Sequence, residues 1–420
     1  MPHDDPGPLA RLRRSHEQLI LTLLRTHGPL SRGDLGRLSG LSRTTLYDIV
    51  GALVDSGALV AAAPAPAERR RGRPVETLSL HPGAGQAIGI DFARRAVHVA
   101  AVNLAHEVIG SASERHAADL GWEARVDLAE RLVGRLGGGT LRLGALSGIG
   151  VGVVGPVGGP REHAPADHAL LLRKRFGVPV LIDNNTRLAA LAESTWGAAS
   201  GVPDVLYLRL SHGVGGGMVV GGALHRGAHG LSGEIGHITA EPGGRPCSCG
   251  NSGCLETVAS IGAVLDAYAA ASAPGDVADV AAGSAGITTA PTSDGDRHTR
   301  NDIRGDGPDL ASFLAALPHD PAAARVLDDV GTRVGAVLAA VCNAVDPQVT
   351  VIGGELAQAG PALLDPVARA LADRLMPYSR SRGGLRAAAL GEAAGALGAI
   401  ALVLHESPLL AAYPPPHSVE

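Results

Sequence analysis

Apolar residues recur every three or four positions in successive stretches near the N-terminus, which is the spacing of one buried face of a helix. The first stretch ends at the turn-forming pair Gly28-Pro29 and comprises Leu19, Ile20, Leu23 and Leu24. A later stretch comprises Leu46, Ile49, Val50, Leu53 and Val54. Together with a shorter stretch between them, this pattern predicts three helices within the first 55 residues.

Capping residues set the limits of the second and third predicted helices. Ser31, followed three residues later by Asp34, resembles a capping box, in which side chains satisfy the first free backbone N–H groups of a helix. Gly40 is typical of the left-handed residue that ends a helix, and Ser42 is a suitable cap for the third helix. The sequence therefore predicts two short helices, a tight turn and a third helix.

Two strand-like segments follow the third helix, at Ala58–Ala62 and at residues 75–80. The loop between them contains Arg69-Arg70-Arg71-Gly72-Arg73-Pro74. A hairpin with a basic tip is typical of the wing of a winged helix-turn-helix domain, and such a tip reaches phosphates or a narrow minor groove. Arg70, Arg71 and Arg73 are therefore candidate DNA contacts.

The start of the third helix carries the candidate base-reading residues, because a helix of this type enters the major groove with its N-terminal end. These candidates are Ser42, Arg43, Thr44 and Tyr47. The alternative is a small helical protein-interaction domain with a solvated charge run. Asp48 favours that alternative, since a carboxylate near DNA repels phosphate unless it accepts a hydrogen bond from cytosine.

The rest of the chain alternates strand-like and helical patterns, which indicates an α/β body. The predicted strands are Ala87–Asp91, Val97–Leu104, Gly148–Val154, Pro179–Asp183, Val205–Leu210 and Gly216–Val220. Residues 272–307 are rich in small and polar residues and predict a long mobile insertion between helices.

Composition and charge separate the N-terminal segment from the body. The chain has 420 residues, which predicts two or three domains, and its net charge is −5. Residues 1–80 hold 11 Arg against 8 acidic residues, so this segment carries +3 and the remainder −8. This asymmetry favours a nucleic-acid contact by the N-terminal segment. The longest apolar run near the C-terminus, residues 393–404, is too short to span a membrane, so we expect a cytoplasmic protein.

Three cysteines and a histidine predict a structural zinc site. The ligands are His237, Cys247, Cys249 and Cys254. Four protein ligands of this type fit tetrahedral Zn²⁺ and leave no open position for water. The alternative is a disulfide or free buried thiols, but three of only four cysteines fall within eight positions. Cys342 lies alone in an apolar helical run and is interpreted as a packed core thiol.

Several glycine-rich motifs resemble the ROK family of repressors and sugar kinases, in its transcription-factor branch, across essentially the whole chain. The matching segments are Gly72-Arg73-Pro74, Gly150-x-Gly152 to Gly155-Pro156, residues 211–217, residues 226–237, Gly253-Cys254-Leu255-Glu256 and Val351-Ile352-Gly353-Gly354. A single glycine run would be weak, whereas the combination is specific. The resemblance implies an α/β fold with an N-terminal winged helix-turn-helix and a two-lobed, actin-like (ribonuclease-H-like) ATPase body.

The resemblance also implies a domain organisation and a homo-oligomer, either a homodimer or a homotetramer. We predict a DNA-binding domain at residues 1–82, a first lobe at 83–200, a second lobe with the zinc site and the insertion at 201–385, and a C-terminal helical segment at 386–420 that returns to the first lobe.

Carried over position by position, Asn184, Glu234, His237 and Glu256 match the sugar-contacting residues of the family, and Asn185 is a further candidate. Carboxylates and amides bind vicinal hydroxyls, and zinc on one imidazole nitrogen fixes the ring so that the other can bond the sugar. The alternative for Glu234 and Glu256 is that they are ordinary surface carboxylates.

Two positions depart from the pattern of the family's kinases. Asn185 stands where those kinases have an aspartate that acts as general base, and an amide cannot accept the proton. The family's first phosphate loop, Asp-x-Gly-Gly-Thr, reads Asp91-Phe92-Ala93-Arg94-Arg95, so both glycines and the threonine are lost and bulky side chains would intrude where phosphate should lie. Arg94 and Arg95 could bind a sugar phosphate or form salt bridges on the surface.

These observations predict a sugar-responsive transcriptional regulator that binds a double-stranded DNA operator and has no catalytic residues and no use for ATP, with repression favoured over activation. The first alternative is an active ATP-dependent sugar kinase with a fused DNA-binding domain. The second is a DNA-binding protein with a vestigial sugar site that responds to a protein partner.

Overall fold

The computed structural model describes two compact units. The first comprises residues 1–196, 223–231 and 392–420, and the second comprises residues 197–222 and 232–391. The residues that the structure describes are 13, 16–17, 19–21, 23–24, 27–55, 58–62, 76–81, 86–103, 108–136, 148–155, 157, 165–272, 309–377 and 384–406.

In chain order, the strands are β1 (Leu30–Ser31), β2 (Leu59–Ala62), β3 (Thr77–Leu80), β4 (Gln86–Phe92), β5 (Ala96–Asn103), β6 (Val108–Arg115), β7 (Gly148–Val153), β8 (Val180–Asn184), β9 (Val205–Leu210), β10 (Val214–Val220), β11 (Ala223–His225), β12 (Val349–Gly353) and β13 (Gly384–Ala387). The helices are α1 (Arg32–Ser39), α2 (Arg43–Asp55), α3 (Trp122–Arg135), α4 (Pro165–Phe176), α5 (Asn185–Thr195), α6 (Glu256–Ala259), α7 (Ile261–Ser272), α8 (Leu310–Ala316), α9 (Pro321–Val345), α10 (Pro361–Arg374) and α11 (Ala394–Glu406).

The first unit begins with helices and strands in the order that the prediction of a winged helix-turn-helix requires. Scattered residues described between positions 13 and 27 are helical and precede α1 and α2. The strands β1, β3 and β2 form an antiparallel sheet in that order, with the described part of the predicted wing hairpin at β2 and β3. The buried side of α2 consists of the predicted residues Leu46, Ile49, Val50 and Leu53.

The predicted caps explain where these helices start and stop. The Ser31 side chain accepts a hydrogen bond from the Asp34 backbone N–H at 3.1 Å, and Gly40 ends α1 in the left-handed region at φ 68°. The Ser42 hydroxyl oxygen accepts from the Thr45 backbone N–H at 3.1 Å, as expected for the residue before α2. Each cap satisfies a backbone group that the helix itself leaves free.

The remainder of the first unit is built on a five-stranded sheet in the order β6-β5-β4-β7-β8. The strands β4, β7 and β8 are parallel, while β5 and β6 extend the sheet antiparallel to β4. Helix α11 packs directly on this sheet because Gly89 and Gly150 have no side chain there. A Cβ atom at these positions would lie 1.8 Å from the Ala396 carbonyl oxygen and 1.9 Å from that of Ala399, respectively.

The second unit contains the strands β10-β9-β12-β13, neighbours in that order. The pair β9 and β10 is antiparallel, whereas β12 is parallel to both β9 and β13. Helix α9 supplies much of the apolar core. Cys342 of this helix is buried, which confirms that it is a core thiol, and burial raises its pKa.

Every strand predicted in the body recurs with limits shifted by at most two residues among the described positions, whereas β6, β11, β12 and β13 were not predicted. Residues 273–308 of the predicted insertion lie outside the described residues. Among the described helices, none combines the length and apolar character that a membrane span requires.

Candidate functional site

The four predicted metal ligands come together in the second unit. His237 ends a short 3₁₀ helix, Ile235–His237, and the loop that follows returns so that Thr239 pairs with Cys254. A tight turn between Cys247 and Asn251 brings Cys249 into the same group, since the Cys247 backbone N–H donates to the Asn251 carbonyl at 2.8 Å. Gly250, at φ 98°, supplies the left-handed residue of that turn.

The distances between ligand atoms fit one tetrahedral zinc ion. All four ligand atoms lie within 4.8 Å of one another. The Sγ atoms of Cys249 and Cys254 are 3.7 Å apart, and Cys247 Sγ is 3.5 Å from His237 Nδ1. A tetrahedron with ordinary zinc bond lengths has sulfur–sulfur edges of about 3.8 Å and sulfur–nitrogen edges of about 3.6 Å. These side chains therefore have the chemistry and the spacing of a metal site.

The protonation of the thiols gives a second reason to expect a cation. Burial, followed by the neighbouring thiols, raises the pKa of Cys254 to about 12. By contrast, a hydrogen bond from the Asn251 backbone lowers the pKa of Cys249. Three thiols packed this closely resist ionisation together unless a positive charge lies among them, and a bound metal ion supplies that charge.

The imidazole of His237 faces two groups in the second unit. Its Nδ1 points to the cysteines, while its Nε2 lies 3.9 Å from Glu234 Oε2. Glu256, at the start of α6, accepts a hydrogen bond from the Val214 backbone N–H at 3.0 Å. Both carboxylates are partly exposed. The structure thus places Glu234 beside the metal-facing histidine and fixes one oxygen of Glu256 on strand β10.

Asn184, in the first unit, has a structural use that the sequence did not reveal. Its Oδ1 caps α5 by accepting from the backbone N–H groups of Thr186 at 2.9 Å and Arg187 at 3.1 Å. Its Nδ2 donates to the Gly155 carbonyl at 2.9 Å. One N–H of the amide remains after these three bonds.

Asn185 is buried and hydrogen-bonded to the aspartate that ends the predicted phosphate strand. Its Nδ2 donates to Asp91 Oδ1 at 3.1 Å, and only 5% of Asn185 is exposed. An aspartate at position 185 would instead place two carboxylates in contact. The amide removes that repulsion and, with it, the group that would accept a proton.

Asp183 belongs to a buried ion-pair network that sequence reasoning missed. Its carboxylate is bound by the guanidinium groups of Arg187, at 2.6 Å, and of Arg226, at 2.5 Å. Arg226 also pairs with Glu406 at 2.7 Å, and Arg187 donates to the Gly230 carbonyl. Asp183 and Arg187 are each 1% exposed, so the charge of the Asp183 carboxylate is balanced by these partners within the protein.

The turn at residues 91–95 departs in part from expectation. Phe92 is buried against Trp122, with ring centroids 4.5 Å apart, so it does not occupy the space of a phosphate. Arg94, in place of a glycine, and Arg95, in place of the threonine, are both exposed. The obstruction predicted for this loop therefore rests on the two arginines alone.

The candidate DNA-contacting residues at the start of α2 are exposed. They are Ser42, Arg43, Thr44 and Tyr47, and Asp48 is exposed as well. The guanidinium carbons of Arg43 and Arg32 lie 5.7 and 5.2 Å from the centroid of the Tyr47 ring. Arg32 was missed by sequence reasoning because it belongs to α1. The predicted wing residues Arg70, Arg71 and Arg73 lie outside the described residues.

Comparison with known proteins finds one family and two kinds of relative. Residues 140–406 match the ROK family. A putative xylose repressor from Caldicellulosiruptor sp. (strain Rt8B.4) is 28% identical over 414 residues, which are 95% of this chain and 98% of that protein. A glucokinase from Halalkalibacterium halodurans is 32% identical over 332 residues, which are 74% of this chain and 92% of that protein.

A solved structure shares the arrangement of nearly the whole chain. It is a ROK family transcriptional regulator described as a homologue of the Escherichia coli Mlc protein. The TM-score is 0.67 at 25% identity, and the match covers 96% of this chain and 98% of that one.

Proposed function

This chain belongs to the ROK family, and from that premise we propose that it is a sugar-responsive DNA-binding transcriptional regulator that acts as a repressor and does not phosphorylate its sugar. The observation that carries the proposal is the extent of the repressor match. The putative xylose repressor aligns with 95% of this chain, whereas the glucokinase aligns with 74%. The N-terminal α1 and α2 with their three-stranded sheet supply the matching DNA-binding architecture.

We place DNA recognition on α2 and the wing. Arg43, with its fork of N–H donors, is suited to the edge of guanine, and Tyr47 lies beside it on the exposed surface of the helix. Arg32 adds a second positive charge at the same ring. Arg70, Arg71 and Arg73 would hold the backbone or the minor groove, while Ser42 and Thr44 lie close to Arg43 in the chain. A homodimer or homotetramer would present paired heads to an operator.

The DNA target for this test is a duplex that the wild-type chain selects from a randomised library. Replacing Arg43 with alanine is expected to weaken binding to this duplex by about tenfold, because one base-edge contact is worth about 1–3 kcal/mol. Binding to unselected DNA should change much less. Fluorescence anisotropy on both duplexes measures the difference. Lys174→Ala removes a positive charge from the exposed face of α4 and serves as the control. Equal losses on both duplexes would show that Arg43 contacts only phosphates.

We assign sugar contacts to the polar residues of each unit. In the second unit, Glu234, Glu256 and the Nε2 of His237 offer acceptors and a donor for vicinal hydroxyls. In the first unit, Asn184 and Asn185 offer amide groups. A zinc ion held by His237, Cys247, Cys249 and Cys254 would fix the tautomer of the imidazole, so that Nε2 carries the proton and donates to the sugar.

Asn185 is the reason to expect no phosphoryl transfer from ATP to a sugar. ADP release in the presence of xylose, glucose or N-acetylglucosamine measures this transfer. We expect none from the wild-type chain, because an amide cannot take the proton of the attacking hydroxyl. Asn185→Asp should also stay inactive, since Ala93 and Arg94 still replace the two phosphate-binding glycines and Arg95 replaces the threonine. The similarity to a glucokinase is the reason to test the kinase alternative. ADP release by the wild-type chain that Asn185→Ala abolishes would establish that alternative.

Sugar binding itself is tested by the melting temperature of the zinc-loaded chain with the same three sugars. An increase that Glu256→Gln removes would support the assignment of the second unit. If no sugar stabilises the chain while zinc is present, the sensor proposal fails and a protein partner becomes the better explanation of how the regulator is controlled.

A further inference from the structure

The carboxylate of Asp91, in the first unit, is enclosed between a strand and a helix. Asp91 lies near the end of β4 and pairs in register with Gly152 of β7. A Cβ atom at Gly152 would lie 3.3 Å from Asp91 Oδ1, and one at Gly395, in the first turn of α11, would lie 2.1 Å from Asp91 Oδ2. Only 2% of Asp91 is exposed. The two glycines thus leave room for the carboxylate in one place, with Oδ2 beside the helix.

The position of this carboxylate favours its ionised form. The positive end of the helix dipole lies at the first turn of α11 and stabilises a negative charge there. An ionised carboxylate accepts hydrogen bonds and cannot donate them. Asn185 must therefore turn its Nδ2 group toward Asp91, which agrees with the distance of 3.1 Å between Nδ2 and Asp91 Oδ1.

This orientation of the Asn185 amide leaves its oxygen to another partner. Asn185 Oδ1 accepts no hydrogen bond from the described residues, and it is not among the enclosed polar atoms that lack a partner there, so it reaches the surface. An amide oxygen only accepts, so a group that binds it has to donate. A sugar hydroxyl can donate, whereas an ether oxygen or a deoxygenated carbon cannot.

We propose that Asp91 is a positioning residue for the sugar: it fixes the Asn185 amide so that Oδ1 selects a sugar position that donates a hydrogen bond. The inference rests on the proposed sugar contact of Asn185 and adds the polarity of that contact. A sugar without the donor would leave a largely buried amide oxygen unpaired, and sites built around such a hydrogen bond reject ligands that lack it.

Deoxy and deoxyfluoro sugars test the polarity of the contact, because fluorine accepts a weak hydrogen bond but cannot donate one. The probe is whichever of xylose, glucose and N-acetylglucosamine binds the zinc-loaded full chain most tightly, together with its monodeoxy and monodeoxyfluoro analogues, in isothermal titration. At one sugar position, we expect the deoxyfluoro analogue to bind the wild-type chain about tenfold more weakly than the parent sugar and no better than the deoxy analogue. Asn185→Ala should abolish the preference for the hydroxyl at that position.

Asp91→Asn keeps the size of the side chain and should reverse the contact. Its amide oxygen should stay beside the first turn of α11, so that its NH₂ group faces Asn185 and the Asn185 amide turns over. The NH₂ group of Asn185 then faces the sugar. At the same sugar position, the deoxyfluoro analogue should therefore bind this variant more tightly than the deoxy analogue does. A purely structural role of Asp91 would instead weaken all the sugars by the same factor.

Asp320→Asn is the matched control, because Asp320 also lies at the start of a helix, α9, and also accepts from a side chain, the Tyr268 hydroxyl at 2.7 Å. It should keep the wild-type order of the analogues. The proposal is overturned if Asp91→Asn keeps that order too, if it weakens all the sugars equally, or if Asn185→Ala changes no preference. If none of the three sugars binds the wild-type chain, the sugar-sensor proposal fails as well, whereas sugar binding without the reversal removes only the role of Asp91.

Discussion

A chain with Cys254 replaced by serine is expected to lose its zinc and several kcal/mol of stability. Cys254 is the only fully buried member of the four ligands, and several backbone hydrogen bonds of the loop from His237 to Cys254 join the loop to itself. The free energy of metal binding at a site of this type adds to the free energy of folding, because the unfolded chain does not hold the ligands together. Elemental analysis should give close to one zinc per wild-type chain and well below one for the variant.

The remaining cysteine provides the control. Cys342→Ser removes a buried thiol from α9, where the Sγ atom is 3.5 Å from Thr350 Oγ1 and takes no part in the metal cluster. This variant should keep its zinc. Denaturant unfolding followed on both proteins separates the loss of metal from the loss of a packed side chain. A Cys254→Ser chain with wild-type zinc content and stability would contradict the proposal that a zinc ion bound by Cys254 stabilises this fold.

Features decided by neighbouring residues in the chain were predictable from the sequence. The caps at Ser31, Gly40 and Ser42 satisfy backbone groups within a few residues, so their residue types alone set the limits of α1 and α2. The metal ligands also lie within 18 positions, and a short Cys-x-Cys step limits where the thiols can point. The structure contains both the helix caps and the cluster of metal ligands at the predicted positions.

Features decided by distant residues were not predictable. The residues Asp183 and Arg226 are 43 positions apart, and nothing in either neighbourhood marks them as partners. The polar edge strand β6 lacks a continuous apolar face, since its residues alternate between exposed and partly exposed. The bond that the Asn184 Nδ2 group donates to the Gly155 carbonyl joins residues 29 positions apart. In each case the sheet brings the partners together, and a single sequence does not show which strands are neighbours.

Replacing Arg187 with methionine is expected to destabilise the first unit by about 3–5 kcal/mol, the cost of breaking a buried ion pair by removing one partner. The change leaves Asp183, which is 1% exposed, with Arg226 as its only guanidinium partner. It also removes the donors to the Gly230 and Val157 carbonyl oxygens. Methionine keeps much of the side-chain volume, so the loss reports charge and hydrogen bonding more than packing.

Arg175→Met is the matched control, because Arg175 pairs with Asp127 at 2.9 Å and Glu130 at 2.9 Å on the exposed face of the same unit. Exposed pairs contribute about 0–1 kcal/mol, since water and salt screen them. Urea unfolding of both variants should therefore differ by several kcal/mol. The double variant Asp183→Asn/Arg187→Met should lose less than the sum of the two single changes, because each single change strands the other charge. If Arg187→Met costs no more than Arg175→Met, the Asp183 network contributes nothing measurable to folding.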